Sequence, residues 1–192
     1  MIKKIGVLGG TFNPVHIGHT SIAQAAINSL KLDYVLVVPN GDPPHKDDDI
    51  PSEDHRYNMT CLAFEEFDNI IPSNIEIGQG VCYTVNTLNK LREQMPYGEF
   101  YYIIGGDNMR YMSRWKKADK LLKNLDIICI GRKGYDIKKD GDYIEKRFGA
   151  RVYYAEMEPV DISSTMIRSD VEKYKEFLNP KVYDYIKENS LY

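Results

Sequence analysis

The chain has 192 residues, 43% of them hydrophobic, 28% charged and 11% aromatic, with Lys+Arg 25 against Asp+Glu 28 for a net charge of -3. At about 150 residues per domain this is one domain or one with an appendage, and a chain of that size needs no disulfide or metal staple to bury a core. The composition excludes a disordered chain, a fibrous repeat and a disulfide scaffold, and the surface is no general trap for nucleic acid, though a local cationic pocket is allowed. No apolar run reaches the roughly 18 to 20 residues of a membrane helix. The first eight residues carry two lysines but turn glycine-rich too soon for a signal-peptide core, so a cytoplasmic protein is expected. Cys61, Cys82 and Cys129 are widely spaced and read as free thiols rather than a zinc site or disulfide framework.

Short apolar runs then alternate with helical patterns. Ile5–Leu8 reads as a buried strand, and Ile22, Ala23, Ala26, Ile27 and Leu30 give a helix after it. Tyr34–Val38 is a second strand, closed by Pro39-Asn40-Gly41. Ser52 is placed to cap a helix with Met59, Leu62 and Ala63 on its inner face. Ile75–Ile77 reads as a weaker strand; Val85, Leu88 and Leu91 mark another helix. Phe100–Ile104 is a strong strand leading into Gly105-Gly106, followed by a helical stretch over about 109–125 and a strand at Asp126–Ile130. Val152–Ala155 is the last strand, and helices around Ile167 and Tyr185 finish the chain.

Repeated strand–helix units imply parallel pairing with right-handed crossovers. The expected fold is therefore α/β, a Rossmann-like, doubly wound parallel sheet with helices on both faces and a short C-terminal helical part, in a single domain over 1–192. In such sheets ligands bind outside the carboxyl ends of the strands. The longest break, Pro39–Asp54, holds Pro43, Pro44 and Asp47-Asp48-Asp49 and reads as a mobile active-site loop.

Gly9-Gly10-Thr11-Phe12-Asn13-Pro14-Val15-His16-Ile17-Gly18-His19 directly follows the first strand. Gly9 and Gly10 permit a tight turn close to a ligand, Thr11 adds a hydroxyl, and Gly18 lets a phosphate approach the next helix, whose free N–H groups favour anions. His16 and His19 are one helical turn apart, so both imidazoles can face one ligand. The spacing is neither Gly-x-Gly-x-x-Gly nor a Walker motif. Two imidazoles without a third ligand make a poor metal site, so anion binding is the better reading and no metal-ligating residue is named. Ile162-Ser163-Ser164-Thr165-Met166-Ile167-Arg168 opens a helix after the last strand. Three hydroxyls with Arg168 a turn later make an anion seat; taken alone, the serine is better read as a plain N-cap, and the His turn at the same sheet edge tips the reading to the anion.

These motifs are joined, in order, by Pro43-Pro44-His45-Lys46, Tyr83-Thr84-Val85-Asn86-Thr87-Leu88, and Gly105-Gly106-Asp107 with Trp115, and the chain closes on Tyr183-Asp184-Tyr185-Ile186-Lys187-Glu188-Asn189. Over nearly its full length the chain resembles the His-x-Gly-His nucleotidyltransferase superfamily and, within it, the bacterial nicotinate mononucleotide adenylyltransferases. Asn13 stands where that family often has Asp, a departure that leaves the His pair intact.

The resemblance implies an enzyme of NAD biosynthesis that joins ATP and nicotinate mononucleotide, giving nicotinate adenine dinucleotide and pyrophosphate. The mononucleotide phosphate would attack the α-phosphorus of ATP in line. It is already anionic at pH 7 and demands no strong base; the task is to hold two repelling anions and a transition state of spread negative charge. The implied catalytic residues are His16, His19 and Arg168. Gly9, Gly10, Thr11, Phe12, Gly18, Lys46, Ile162, Ser163, Ser164 and Thr165 are implied for ATP, with Mg2+ riding water-coordinated on the triphosphate. Tyr83, Thr84, Gly106, Asp107 and Trp115 are implied for the mononucleotide. Trp115 would stack on the pyridine ring, and without the resemblance is as well read as packing. Thr84 would meet the nicotinate carboxylate or simply cap its helix, and Asp107 would accept from ribose hydroxyls or form a turn. Arg132 and Lys133 divide between an ATP contact and a solvated turn, and His55 and Arg56, at a helix start, read as structural or weakly supporting.

Three alternatives are weighed. A sibling transferase would accept nicotinamide mononucleotide, phosphopantetheine or a CTP-linked substrate. An aminoacyl-tRNA synthetase shares His16-Ile17-Gly18-His19, but this chain lacks the later lysine-rich signature and the positive charge an RNA partner needs. A catalytically dead nucleotide sensor would not keep both His residues and Arg168. No nucleic-acid or membrane partner is expected, and a homo-oligomer is compatible with the sequence.

Overall fold

The computed structural model describes residues 2–42, 50–132 and 137–192. Lys46 and its motif at 43–46, Lys133 and the side chain of Arg132 lie outside the described residues, as does the middle of the expected loop over 39–54, residues 43–49.

Six strands form one sheet: β1 (Lys3–Gly10), β2 (Tyr34–Pro39), β3 (Ile70–Pro72), β4 (Gly98–Gly105), β5 (Asp126–Arg132) and β6 (Arg151–Met157), in the order β3-β2-β1-β4-β5-β6. Eight α-helices surround it among the described residues: α1 (Ile17–Leu30), α2 (Glu53–Phe64), α3 (Thr84–Gln94), α4 (Gly106–Met109), α5 (Ala118–Leu122), α6 (Lys138–Phe148), α7 (Ser164–Ser169) and α8 (Pro180–Glu188). This is the doubly wound α/β architecture read from the alternating runs. Its central strands are apolar on both faces because helices cover both.

The chain divides into two compact units. The first comprises Met1–Leu8, Ile22–Val35 and Tyr83–Pro159. Within it β1, β4, β5 and β6 pair in parallel, with Leu8 opposite Ile103, Ile103 opposite Ile128, and Ile128 opposite Tyr153. Packing is close at Gly6, where a β-carbon would meet Ile103, Leu32 and Val35 side-chain atoms at 2.8 to 2.9 Å. Only a bare backbone leaves room there for the covering side chains, and overpacking such a place costs about 1 to 3 kcal/mol.

The second unit comprises Gly9–Ser21, Leu36–Cys82 and Val160–Tyr192. Here Ser52 caps α2, its Oγ accepting from the His55 amide at 3.3 Å. Asn179 caps α8 through the Lys181 amide at 2.9 Å, with Pro180 in the first turn. α8 packs on α2, where the Tyr185 hydroxyl meets His55 Nδ1 at 2.9 Å and accepts from Asn58 at 3.1 Å.

Two local expectations are corrected and one helix is added. Ile75–Ile77 is a turn, closed by the Ile77 amide on the Asn74 carbonyl at 3.0 Å and followed by Gly78 at φ +72°; the short strand lies earlier, at Ile70–Pro72. Three residues flanked by turn-formers could not extend, and the buried Glu76 turns inward to accept from the Gly41 amide. The helix over 109–125 is broken into α4, a 3-10 turn at Met112–Arg114, and α5, because Trp115 is extended and Lys117 is left-handed at φ +56°. α6 went unread: it is mostly charged, and its signal was Ile144 on the inner face with Gly149 left-handed just past Phe148.

Candidate active site

The glycine turn after β1 is shaped by packing at each step. A β-carbon on Gly10 would lie 3.0 to 3.3 Å from the Phe12 ring, so glycine lets that ring fold back over the strand end. Phe12 is buried and left-handed at φ +50°, a conformation that costs a non-glycine residue about 1 to 3 kcal/mol and persists only where surroundings hold it. Its ring meets the His19 imidazole edge-on, 5.0 Å between centroids. The Asn13–Pro14 peptide is cis, Val15 and His16 are buried, and α1 starts at Ile17.

Two backbone amides set the imidazole tautomers. The Gly18 N–H donates to His16 Nδ1 and the His16 N–H donates to His19 Nδ1, both at 3.2 Å. Each Nδ1 is an acceptor, so each neutral ring carries its proton on Nε2 and offers it as a donor. Gly18 is needed for this: a β-carbon there would lie 3.0 Å from His16 Cε1 and Nδ1. The His19 and Thr20 amides bond the His16 carbonyl at 2.9 and 3.4 Å. The helix-start amides expected to face an anion are thus partly spent inside the turn. Burial lowers the His16 pKa to about 4 and that of His19 well below its ordinary value, with the neighbouring ring adding to the latter.

The second motif is brought directly onto the first. Ser163 caps α7 through the Met166 amide at 3.2 Å, Ser164 Oγ donates to the Pro14 carbonyl at 2.9 Å, and Arg168 Nη1 donates to the Asn13 carbonyl at 2.8 Å. Arg168 Nη2 reaches Thr165 Oγ1 at 3.4 Å. Ile162 is buried, while Ser163 and Thr165 are exposed. Ser163 is therefore an N-cap, and the Ser164 hydroxyl and the Arg168 guanidinium hold the imidazole turn.

Beneath the turn lie Arg56, which the sequence reads as structural without its partners, and Tyr192, which the sequence does not mark. Arg56 is 1% exposed and donates to the Thr11, Asn40, Gly41 and Pro51 carbonyls at 2.7 to 3.2 Å. Its signal was a basic residue in register with the apolar Met59 and Ala63 of α2. Tyr192 gave none; its hydroxyl donates to Asn13 Oδ1.

The residues assigned to the mononucleotide lie in the first unit. Tyr83 precedes α3 with Lys116 Nζ 5.5 Å from its ring centre, and no side chain caps the helix start at Thr84. Gly106 is buried, with no room for a β-carbon, which would strike Ile137 at 2.5 Å, and exposed Asp107 follows it in α4. Trp115 is half-buried, edge-on to Tyr102 at 5.6 Å and 85°. Among the described residues no three His, Cys, Asp or Glu gather as a metal site, and no helix is long and apolar enough to cross a membrane.

Residues 7–170 match the cytidylyltransferase-like family model. A Carboxydothermus hydrogenoformans protein, described as a probable nicotinate-nucleotide adenylyltransferase, is 36% identical over 98% of both chains. A Clostridium perfringens protein of the same description is 37% identical over 100% of this chain and 98% of its own. In fold, the chain is similar to a Plasmodium falciparum nicotinic acid mononucleotide adenylyltransferase complexed with NaAD, with a TM-score of 0.83 at 23% identity over 98% of this chain and 97% of that one. Matched along its length by the family model and by relatives of one description, the chain is a nucleotidyltransferase that belongs to the cytidylyltransferase-like family and, within it, to the nicotinate-nucleotide adenylyltransferases.

Proposed function

We propose that the chain transfers the adenylyl group of ATP to nicotinate mononucleotide, releasing pyrophosphate and forming nicotinate adenine dinucleotide. The observation that carries this reading is the cluster in the second unit: two Nε2–H donors, a hydroxyl-rich helix start and Arg168, joined through the Asn13 and Pro14 carbonyls. Such a set handles phosphate oxygens and offers no carboxylate pair for acid–base work.

A phosphate oxygen of the mononucleotide attacks the α-phosphorus in line. The bond from that phosphorus to the α–β bridging oxygen breaks, and pyrophosphate leaves with the electron pair. His16 and His19 donate to the α-phosphate oxygens as charge builds on them. Arg168, Ser163, Ser164 and Thr165 hold the β- and γ-phosphates, while Gly9, Gly10 and Thr11 line the approach. ATP enters as its magnesium complex, the ion belonging to the substrate. Trp115, Tyr83, Thr84, Gly106 and Asp107 bind the mononucleotide, the uncapped amides of α3 suiting the nicotinate carboxylate. The names of the relatives favour the acid over the amide.

The test is pyrophosphate release with ATP and, in turn, nicotinate mononucleotide, nicotinamide mononucleotide and phosphopantetheine. The reading expects the first to win clearly in kcat/KM. Equal efficiency with the amide removes the acceptor assignment, and no release with any of the three removes the reaction.

A further inference from the structure

We infer that Arg56 and Tyr192 are positioning residues for the imidazole turn, setting the two Nε2–H donors without touching substrate. Arg56 spends its guanidinium on carbonyls from three stretches of chain: Nη1 on Thr11 at 3.0 Å and Asn40 at 2.7 Å, Nη2 on Gly41 at 2.7 Å, and Nε on Pro51 at 3.2 Å. A planar fork with fixed donor directions holds those carbonyls in one arrangement, which a flexible ammonium cannot copy. Thr11 is joined to the left-handed Phe12, and the Phe12 ring abuts the His19 imidazole. A shift of the Thr11 carbonyl therefore reaches His19 through one residue.

Tyr192 braces the other flank. Asn13 is buried, and its side-chain oxygen accepts from the Tyr192 hydroxyl while its backbone carbonyl accepts from Arg168. Burial holds the phenol protonated, raising its pKa although Arg168 and Arg56 both lie close enough to lower it. A neutral hydroxyl is the state that donates to Asn13. Three residues apart along the turn, the imidazole of His16 takes its place from the same backbone.

The kinetic arm rests on the proposed adenylyl transfer; the spectroscopic arm does not. The full chain is compared as wild type, Tyr192→Phe and Arg56→Lys, by pyrophosphate release and by 15N signals of the His16 and His19 rings. The inference expects kcat to fall about tenfold to a hundredfold, as for a small misplacement of reacting groups, with KM for ATP held within about threefold. It also expects the ring signals to leave the Nε2–H pattern of the wild type. Should Arg56→Lys fail to fold, Tyr192→Phe decides, since it removes one hydroxyl and nothing else. Unchanged ring signals, or altered signals with kcat within about twofold of wild type, overturn the inference. If the wild type releases no pyrophosphate, the reaction falls and the ring signals alone judge the positioning.

Discussion

The His16 and His19 rings stand 3.9 Å apart, centroid to centroid, tilted by 39°. Two positive charges at that spacing repel by about 4 kcal/mol at an effective dielectric near 20. Burial already holds His16 down to about 4 and His19 well below its ordinary value. The free protein at neutral pH thus carries a neutral pair, and positive charge enters only with an anion that favours it.

The same burial makes stability depend on pH. His16 takes up its proton near 6.5 when unfolded and at about 4 when folded. Between those values the unfolded chain holds more protons, so stability rises with pH across the window and is lost as pH falls from 6.5 toward 4. The shift corresponds to about 3 kcal/mol. Urea unfolding at pH 7.5 and 4.5 should show this loss in the wild type and a clearly smaller one in His16→Gln. An equal loss in both proteins would assign the dependence elsewhere.

His19 is the more deeply coupled of the pair, touching both Phe12 and His16. Its replacement by Ala should lower turnover about a hundredfold or more, the scale of removing one oxyanion donor. KM for ATP should change far less, because Arg168 and the α7 hydroxyls remain. A variant at full rate would take His19 out of the mechanism.

Gly18→Ala separates helix propensity from site geometry. In an ordinary helix the change stabilises by about 0.5 to 1 kcal/mol. Here the new methyl would stand 3.0 Å from the His16 ring and push it off the Gly18 amide. The expected result is a loss of kcat of about tenfold or more with no rise in Tm. A variant both more stable and fully active would mean the ring has room to move.

Much of this was legible because periodicity and punctuation agreed. Val85, Leu88 and Leu91 all face inward on α3, and Ser52 caps α2. The two phosphate-type motifs follow β1 and β6, so their strand-end placement was readable. The joining contacts were not. Ser164 on Pro14 and Arg168 on Asn13 bridge 150 and 155 residues, and spacing along a chain carries no record of such closures. Gly18 reads as room for a phosphate, and spacing carries no sign that its amide and missing β-carbon also seat the His16 ring. The helix at 109–125 failed because Trp115 and Lys117 adopt extended and left-handed backbones that apolar spacing does not report.

Trp115 offers the sharpest test of the acceptor assignment, because the chain has one Trp and its fluorescence reports one place. The residue is half-buried at an extended step between the 3-10 turn and α5, and its edge contact with Tyr102 fixes the plane of the indole. A fixed aromatic face suits a pyridine ring, and stacking of this kind contributes about 0.5 to 1.5 kcal/mol beyond burial. Trp115→Ala should therefore raise KM for nicotinate mononucleotide about tenfold while leaving KM for ATP within about twofold, and Trp115→Phe should recover most of the loss. In the wild type, saturating nicotinate mononucleotide should quench the emission where ATP alone does not. Unquenched emission at saturation, or an ATP KM that rises as much as the acceptor's, would make Trp115 a packing residue and move the pyridine site elsewhere.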